Sequence, residues 1–142
     1  MTPDRQLTYV KLSAAGLIGF GALNLIVLIG PLSGLMDAFI DLVHLPFDGA
    51  EGMRSPDGRL WIGISGGLLA GWGVVAWQVA SKVWPGDPAL ARSILLPGYL
   101  VWFALDSAGS IAAGAGFNAV VNVGILALFA LPLRSLPATQ EA

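Results

Sequence analysis

Residues 91–113, ARSILLPGYLVWFALDSAGSIAA, decide the fold, because they stay apolar over a length that can cross a lipid bilayer. A helix needs about 20 mostly apolar residues to cross about 30 Å of hydrocarbon. Between Arg92 and Arg134 the one formally charged residue is Asp106. A carboxylate at membrane depth costs roughly 2.5–3.5 kcal/mol on insertion scales, so it normally faces protein or water and marks a site. Asp106 is therefore the best functional lead in the chain.

The composition of the whole chain favours a membrane protein. Of its 142 residues 56% are hydrophobic and 11% are charged, against roughly 25% charged in a soluble domain, and the mean hydropathy is +0.76. The absence of cysteine excludes disulfides, thiolate metal sites and thiol nucleophiles. A single histidine, His44, excludes a bis-histidine haem, so no cofactor is expected. The net charge of −2 and the lack of a basic stripe argue against nucleic acid as a partner.

Four apolar segments predict an all-α polytopic membrane protein, in which four transmembrane helices form an antiparallel bundle. The predicted spans are residues 12–29, 60–79, 91–113 and 117–133, within one integral membrane domain of residues 1–142. Gly30-Pro31 ends the first span, and Gly114-Ala115-Gly116 joins the last two into a tight hairpin. The first span is interpreted as retained, because it is long for a signal sequence and no small-residue cleavage site follows it cleanly.

The basic residues predict the orientation of these spans. If four helices cross, one side carries Arg5, Lys11, Lys82, Arg92 and Arg134, and the other side carries Arg54 and Arg59. Because cytoplasmic loops are enriched in Lys and Arg, both termini are expected in the cytoplasm. Residues 30–59 then form an outer loop. The expected location is the inner membrane of a bacterial cell, with the lipid bilayer as the main partner.

The outer loop carries a predicted short helix on the membrane surface between the first two spans. Residues 34–42 are apolar on most of their helical surface, which is typical of a helix lying at an interface. Asp37, Asp41 and His44 fall within roughly 60° of one another on the remaining stripe. This stripe is either the solvated face of the helix or a site for a hard divalent metal, completed by Asp48 or Glu51.

Polar residues within the spans gather at one depth. In the predicted orientation the outer half of the membrane contains Asn24, Ser65, Asp106, Ser107, Ser110, Asn118 and Asn122. Asp106 and Ser110 share one helix face at a spacing of four residues, and Trp102 precedes them by one turn. These residues predict an outward-facing polar pocket for a ligand or a proton. Two alternatives remain for the same residues: they hold the helices together by hydrogen bonds, or they form a contact between subunits.

Glycines recur along the second span. Gly63, Gly67 and Gly71 are spaced by four residues, an arrangement that lets helix backbones approach closely. Gly66 and Gly73 widen the same smooth surface. The pattern predicts dense helix packing, either within the chain or between two copies of it.

Catalysis is poorly supported by the residues within the spans. Ser110 has no histidine at membrane depth to act as its base, and Asp106 has no second carboxylate beside it. We therefore expect a small non-catalytic membrane protein, either an accessory subunit or a ligand-binding bundle with its pocket around Asp106. It could act as a homo-oligomer or within a larger membrane complex. The alternative is a small transporter or proton-coupled exporter that uses Asp106.

The layout also invites comparison with known families. The helix count, the chain length and the glycine-rich second helix resemble those of small four-helix bacterial membrane proteins, including the DoxX-like proteins. The single intramembrane carboxylate is similar to that of small multidrug transporters, which carry theirs in the first helix, where this chain has Asn24. No function is carried over from either resemblance.

Overall fold

The computed structural model describes residues 2–29, 32–53 and 55–134. These residues form no strand and five α-helices: α1 (Pro3–Ile29), α2 (Ser33–His44), α3 (Pro56–Gln78), α4 (Pro88–Ala112) and α5 (Gly116–Ala130). A π-helical turn, Val79–Val83, continues α3. Gly30-Pro31, the predicted end of the first span, and Arg54, used for the orientation, lie outside the described residues.

The all-α prediction is confirmed, and three helices have the properties of membrane spans. By length and composition these are α1, α3 with its π-helical turn, and α4. α5 is apolar but has only 15 residues. The five helices follow one another in the predicted order, with α2 between the first two candidate spans.

Three helices begin well before their predicted starts: α1 at Pro3 rather than at residue 12, α3 at Pro56 and α4 at Pro88. Polar residues cap the last two. α3 begins at Pro56, since the Ser55 Oγ accepts a hydrogen bond from the Gly58 N–H at 3.0 Å. α4 begins at Pro88, since the Asp87 carboxylate accepts one from the Leu90 N–H at 2.8 Å. Each proline occupies the first turn, where its missing N–H has no helical partner to lose. Hydropathy alone does not reveal such starts, because the capping turn precedes the apolar run.

The last helix ends at Ala130, three residues before the predicted end. Pro132 has no N–H to donate to the carbonyl of Leu128, which would be its partner in a continuing helix. The Ser13 hydroxyl of α1 lies 3.3 Å from that carbonyl, and 2.9 Å from the carbonyl of Tyr9 in its own helix. The proline thus leaves an acceptor through which α1 contacts α5.

α1 and α3 form an antiparallel pair whose backbones touch through glycines. A Cβ atom built on Gly66 would lie 2.8 Å from the Asn24 Cβ and 2.8 Å from the Gly21 carbonyl oxygen. One built on Gly73 would lie 2.8 Å from Ile18 and 2.9 Å from the Ala14 carbonyl oxygen. Only glycine fits at these positions without displacement of the neighbouring helix.

These packing glycines are the two that were predicted only to widen the surface of Gly63, Gly67 and Gly71. Nothing lies within 4 Å of a Cβ built on Gly67 or Gly71, and one on Gly63 would meet only the end of the Leu28 side chain at 3.3 Å. Steps of four residues drift about 40° around a helix, whereas the seven residues from Gly66 to Gly73 drift only about 20°. The seven-residue spacing therefore keeps both glycines on the face that meets α1.

Buried side chains fill one end of the molecule. This packed end contains Val10, Ala14, Leu17, Ala76, Val79, Ala80, Trp84, Ala91, Leu95, Tyr99, Phe129 and Leu133. Tyr99 stacks on Phe129 at 4.7 Å between ring centroids and meets the edge of Trp72 at 5.9 Å. Gly98 leaves the space that the Trp72 ring occupies. The two helix pairs, α1–α3 and α4–α5, are joined here by a continuous core.

A second cluster lies at the opposite end, beneath α2, and we call this the α2 end. Val27, Met36 and Met53 are buried there, with Phe39 and Ile62 packed against them. α2 also contacts α5, so it bridges the two helix pairs. The apolar side of α2 thus packs on the other helices. Between the two clusters the interior is open.

We expect Gly66→Ala to lower the thermal unfolding midpoint of the purified protein relative to Gly67→Ala. Both changes bring the same gain in helix propensity, up to about 1 kcal/mol. Only the first drives a methyl group into Asn24 and the backbone of α1, and overpacking of this kind costs about 1–3 kcal/mol. Equal midpoints for the two variants would contradict the assigned packing face.

Candidate functional site

A cavity of about 740 Å³ separates the α1–α3 pair from the α4–α5 pair. This volume lies within the roughly 300–1,000 Å³ that ligand sites occupy. One stripe of α1 lines it, with Tyr9, Leu12, Ser13, Gly16, Phe20 and Asn24. α5 faces this stripe with Asn118, Val121, Asn122, Ile125, Leu128 and Phe129.

The cavity opens sideways, between α1 and α5. Leu12 and Phe20 on α1 and Leu128 on α5 line it and are also exposed at the surface. These two helices touch only over a short stretch, which includes the approach of Ser13 to the Leu128 carbonyl. Two facing apolar stripes with a gap between them form a slot that a chain-like molecule can enter from the side.

α2 covers one end of this slot. Met36, Phe39 and Ile40 line the cavity, and the Phe39 ring meets the edge of Phe20 with centroids 6.3 Å apart. Direct access from the α2 end is therefore restricted. The prediction placed α2 at a membrane surface with its apolar side against lipid or protein, and in the structure that side packs on protein.

The predicted polar residues of α4 and α5 come together beside the cavity, which is lined by Asp106, Asn118 and Asn122 but not by Ser107 or Ser110. The Ser110 hydroxyl donates to the Asp106 Oδ1 at 3.1 Å, and the Asn118 amide donates to the same oxygen at 3.2 Å and to the Ser110 Oγ at 2.8 Å. Next to this triad, the Asn122 amide donates to the Ser107 Oγ at 3.2 Å. The positive φ of 84° at Gly114 makes the tight turn that places these helices side by side.

Asn24 reaches the same cavity from α1 but stays outside this network. Its side chain is 5% exposed, and its Oδ1 has no hydrogen-bond partner among the described residues. Ser65 of α3 lines the cavity at the level of Asn24, because Asn24 packs on the neighbouring Gly66. A buried polar group without a partner costs about 1–3 kcal/mol. Of the predicted pocket residues that are buried, Asn24 is the one whose side chain makes no hydrogen bond with the described residues.

Aromatic residues form much of the remaining wall, and only one of them was predicted. Trp102 lines the cavity one turn before Asp106, and its ring lies 6.0 Å from that of Phe129. Phe20, Phe39 and Trp61 were not predicted as site residues. Their three- or four-residue spacing from other apolar residues is a signal, but lipid-facing stripes have the same spacing.

The acidic residues of α2 fasten the loop that follows it. The Asp37 carboxylate accepts a hydrogen bond from the Met53 N–H at 2.6 Å. Both carboxylate oxygens of Asp41 accept from the Gly49 N–H, at 2.9 and 3.0 Å, and Oδ1 also lies 3.4 Å from the Glu51 nitrogen. The loop therefore folds back over α2 and encloses Asp41.

The structure brings together a different acidic set from the predicted one. Ligand atoms of Asp41, Asp48 and Glu51 lie within 4.8 Å of one another. The two other predicted residues have different partners. The Asp37 carboxylate accepts a hydrogen bond from the Met53 N–H, and the His44 Nδ1 lies 2.8 Å from the Ile40 carbonyl oxygen of its own helix. Three carboxylates at this separation suit a hard cation, but Asp41 already has backbone partners. A metal at the acidic stripe stays a prediction.

Backbone hydrogen bonds change the acidity of Asp41. The N–H of Gly49 lowers the pKa of this carboxyl below its ordinary value of 3.8 and outweighs the burial that would raise it. The N–H groups of Glu51 and Ala50 act in the same direction. Hydrogen bonds to the ionised form favour that form, so the loop holds Asp41 as a carboxylate.

Comparisons of the chain with models of protein families, with curated proteins and with solved structures give no match. The resemblance to small four-helix membrane proteins therefore rests on layout alone.

We expect the loop after α2 to detach from Asp41 in acid. Because the pKa of Asp41 is lowered on folding, its contribution to stability is complete above the unfolded pKa, near 3.8, and is lost as the pH falls through the folded pKa. The thermal midpoint of the parent protein should fall over this acid range. Asp41→Asn should start from a lower midpoint at neutral pH and show a weaker acid dependence.

The matched control for this titration is Asp57→Asn. Asp57 is exposed, and its carboxylate accepts no hydrogen bond from the described residues. This variant should keep the acid dependence of the parent. If Asp41→Asn keeps it as well, the Gly49 and Glu51 contacts do not anchor the loop.

Proposed function

We propose that the protein is a non-catalytic membrane protein that binds a ligand in the cavity around Asp106. The observation that carries the proposal is a cavity of about 740 Å³ whose mainly apolar wall holds a carboxylate and buried amides. Ionisable and amide groups among apolar helices are costly, and they persist where they serve a site or a partner. Asn24, which is buried and has an amide oxygen without a partner among the described residues, favours a site over a mere contact between helices.

We propose a four-span arrangement in a bacterial inner membrane, with both termini in the cytoplasm and α2 at the outer surface. The apolar side chains exposed on the long helices, such as Leu68, Leu105 and Val120, support lipid as the surrounding medium. α5 is about 22 Å long at 1.5 Å per residue, and a short span is tolerated by local thinning of the bilayer. The basic residues support the direction.

The lining of the cavity supports binding without catalysis. Among the described residues that line it, Asp106 is the one carboxylate, and none is a histidine, lysine or arginine. The two serines nearest to Asp106 are held by Asn118 and Asn122 rather than by a base. A nucleophile needs an activating base within reach.

The buried core at the packed end favours binding over transport, because it closes the cavity on that side. A transporter or proton-coupled exporter that used Asp106 would need a second route from the cavity to the cytoplasm. In the proposed orientation that route would cross the Tyr99, Phe129 and Leu95 core, which is fully packed. We therefore keep transport as the second candidate, with Asp106 as the carboxylate that would carry the proton.

Single cysteines test the topology, since the chain has none of its own. Ala50→Cys lies in the loop after α2, and Ala89→Cys lies at the start of α4. In intact spheroplasts we expect an impermeant maleimide to label the first, and to label the second only after permeabilisation. Arg134→Cys should behave like Ala89→Cys if α5 crosses. Labelling of Arg134→Cys from outside would mean that α5 does not cross the membrane and that the protein has three spans.

Two glycine substitutions on α1 test whether the cavity is occupied. Gly16 lines the cavity and Gly19 does not, although a Cβ on either meets nothing within 4 Å. In nanodiscs, a hexadecane probe with a mid-chain diazirine should cross-link to Val121 and Ile125. Gly16→Leu fills the cavity and should reduce this cross-linking several-fold, while Gly19→Leu should leave it unchanged. Equal cross-linking in the two variants would mean that the probe reaches α5 only from bulk lipid.

A further inference from the structure

We infer that the cavity takes a single-chain amphiphile whose small head group is a protonated amine. The inference rests on the ligand-binding function proposed above and names the chemical class of the ligand. Two polar features of the wall carry it: the buried Asn24 amide on α1, and the Asp106 carboxylate on α4. Both line the cavity, and they approach it from different helix pairs.

The hydrogen-bond donors of Ser110 and Asn118 next to Asp106 are all bonded to acceptors within the protein. The Ser110 hydroxyl has one hydrogen, which goes to the Asp106 Oδ1, and the two amide hydrogens of Asn118 go to Asp106 and Ser110. No donor from the described residues reaches the Asp106 Oδ2. What the triad still offers to the cavity is therefore acceptor capacity, which requires a ligand that donates.

Asn24 adds a second polar group to the wall of the cavity that makes no side-chain hydrogen bond with the described residues. Its Oδ1 is buried and has no partner among the described residues, in a side chain that is 95% enclosed. The amide nitrogen forms no hydrogen bond with the described residues either, so a donating head group would satisfy the oxygen and leave the two N–H groups to another acceptor. A donor in the cavity would remove the cost of this unpaired oxygen. A head group between Asn24 and Asp106 would then link α1 to α4.

An ammonium group fits these acceptors better than other small head groups. It has three hydrogens to donate, enough for Asp106 and Asn24 together, whereas an alcohol has one. Its charge also compensates a carboxylate that no lysine, arginine or histidine of the described lining accompanies. A carboxylate or phosphate head would instead repel Asp106 in a medium of low dielectric constant.

The shape of the slot selects one apolar chain. From Tyr9 to Asn24 the lining stripe of α1 is about 22 Å long at 1.5 Å per residue. Half of the hydrocarbon core is only about 15 Å thick, so a lipid tail fits along the slot. Met36 and Phe39 of α2 line the polar end and cover it, which favours a small head group. The gap between α1 and α5 gives access from the bilayer.

Three photoreactive probes test the head group in phosphatidylcholine nanodiscs. Each carries the same hexadecyl chain with a mid-chain diazirine, and the heads are a primary amine, an alcohol and a carboxylic acid. We expect the amine to cross-link to Val121 and Ile125 at about one-tenth of the alcohol concentration. One charge-assisted hydrogen bond is worth about 1.5–3 kcal/mol, and about 1.4 kcal/mol is tenfold in affinity. The acid should not label these residues above the level of bulk lipid.

Two variants assign this selectivity to residues. Asp106→Asn keeps the size of the side chain and should reduce cross-linking by the amine probe to that by the alcohol probe. Asp57→Asn, which lies outside the cavity, should leave the cross-linking by every probe unchanged. Asn24→Leu should lower amine labelling and, without any probe, raise the thermal midpoint, because it removes an unpaired buried amide. This second variant tests the inference even if Asp106→Asn does not fold.

The outcomes separate the inference from the proposed function. Equal labelling by amine and alcohol, or amine labelling that survives both Asp106→Asn and Asn24→Leu, overturns the amine head group but keeps a cavity that binds apolar chains. If none of the three probes, nor the headless hexadecane probe, labels Val121 and Ile125 above bulk lipid, ligand binding in the cavity is itself overturned.

Discussion

Contact between the backbones of α1 and α3 sets the geometry of this molecule. At Gly21, Gly66 and Gly73 the helices are so close that a single methyl group would collide with the neighbouring chain. Close approach maximises the dispersion contacts between helices, which matters where lipid removes the hydrophobic driving force between them. It also fixes the rotation of α1 about its axis. Asn24 therefore packs its Cβ on Gly66 and lines the cavity, instead of facing outward.

The second helix pair meets this rigid pair mainly at its two ends. Aromatic and aliphatic side chains such as Tyr99 and Phe129 fill the packed end, and α2 bridges the pairs at the other end. Between the ends, α1 and α5 face each other across a gap lined by apolar side chains. A gap this large in a packed interior forfeits many dispersion contacts. Occupation by a chain-like ligand would restore them, in keeping with the proposed function.

Carboxylates have two distinct uses in this structure. On α2, Asp37 and Asp41 accept backbone N–H groups and hold a loop in place, so their charges are satisfied by the protein itself. On α4, Asp106 accepts two side-chain donors at one oxygen only. The difference between a satisfied and a half-satisfied carboxylate distinguishes a structural acid from a candidate binding residue. Position in the sequence does not show it, because each of these acids lies in an apolar helix.

The sequence by itself determined the helices and part of the site. Apolar runs of sufficient length, broken by Gly and Pro, predict the helices and their order. The four-residue spacing from Asp106 to Ser110 and the three-residue link into α5 bring Asn118 next to them, because a tight antiparallel hairpin leaves little freedom. These are local relations, and they hold whatever the rest of the chain does.

Only the tertiary structure decided which face of each helix meets another. Helices that are apolar all round give no amphipathic signal for their rotation. The four-residue spacing therefore put Gly63, Gly67 and Gly71 first, whereas Gly66 and Gly73 make the contact with α1. The same uncertainty hid the cavity, which exists because α1 and α5 stay apart along most of their length. It also hid the isolation of Asn24, since an unpaired amide is recognised only when every neighbour has been placed.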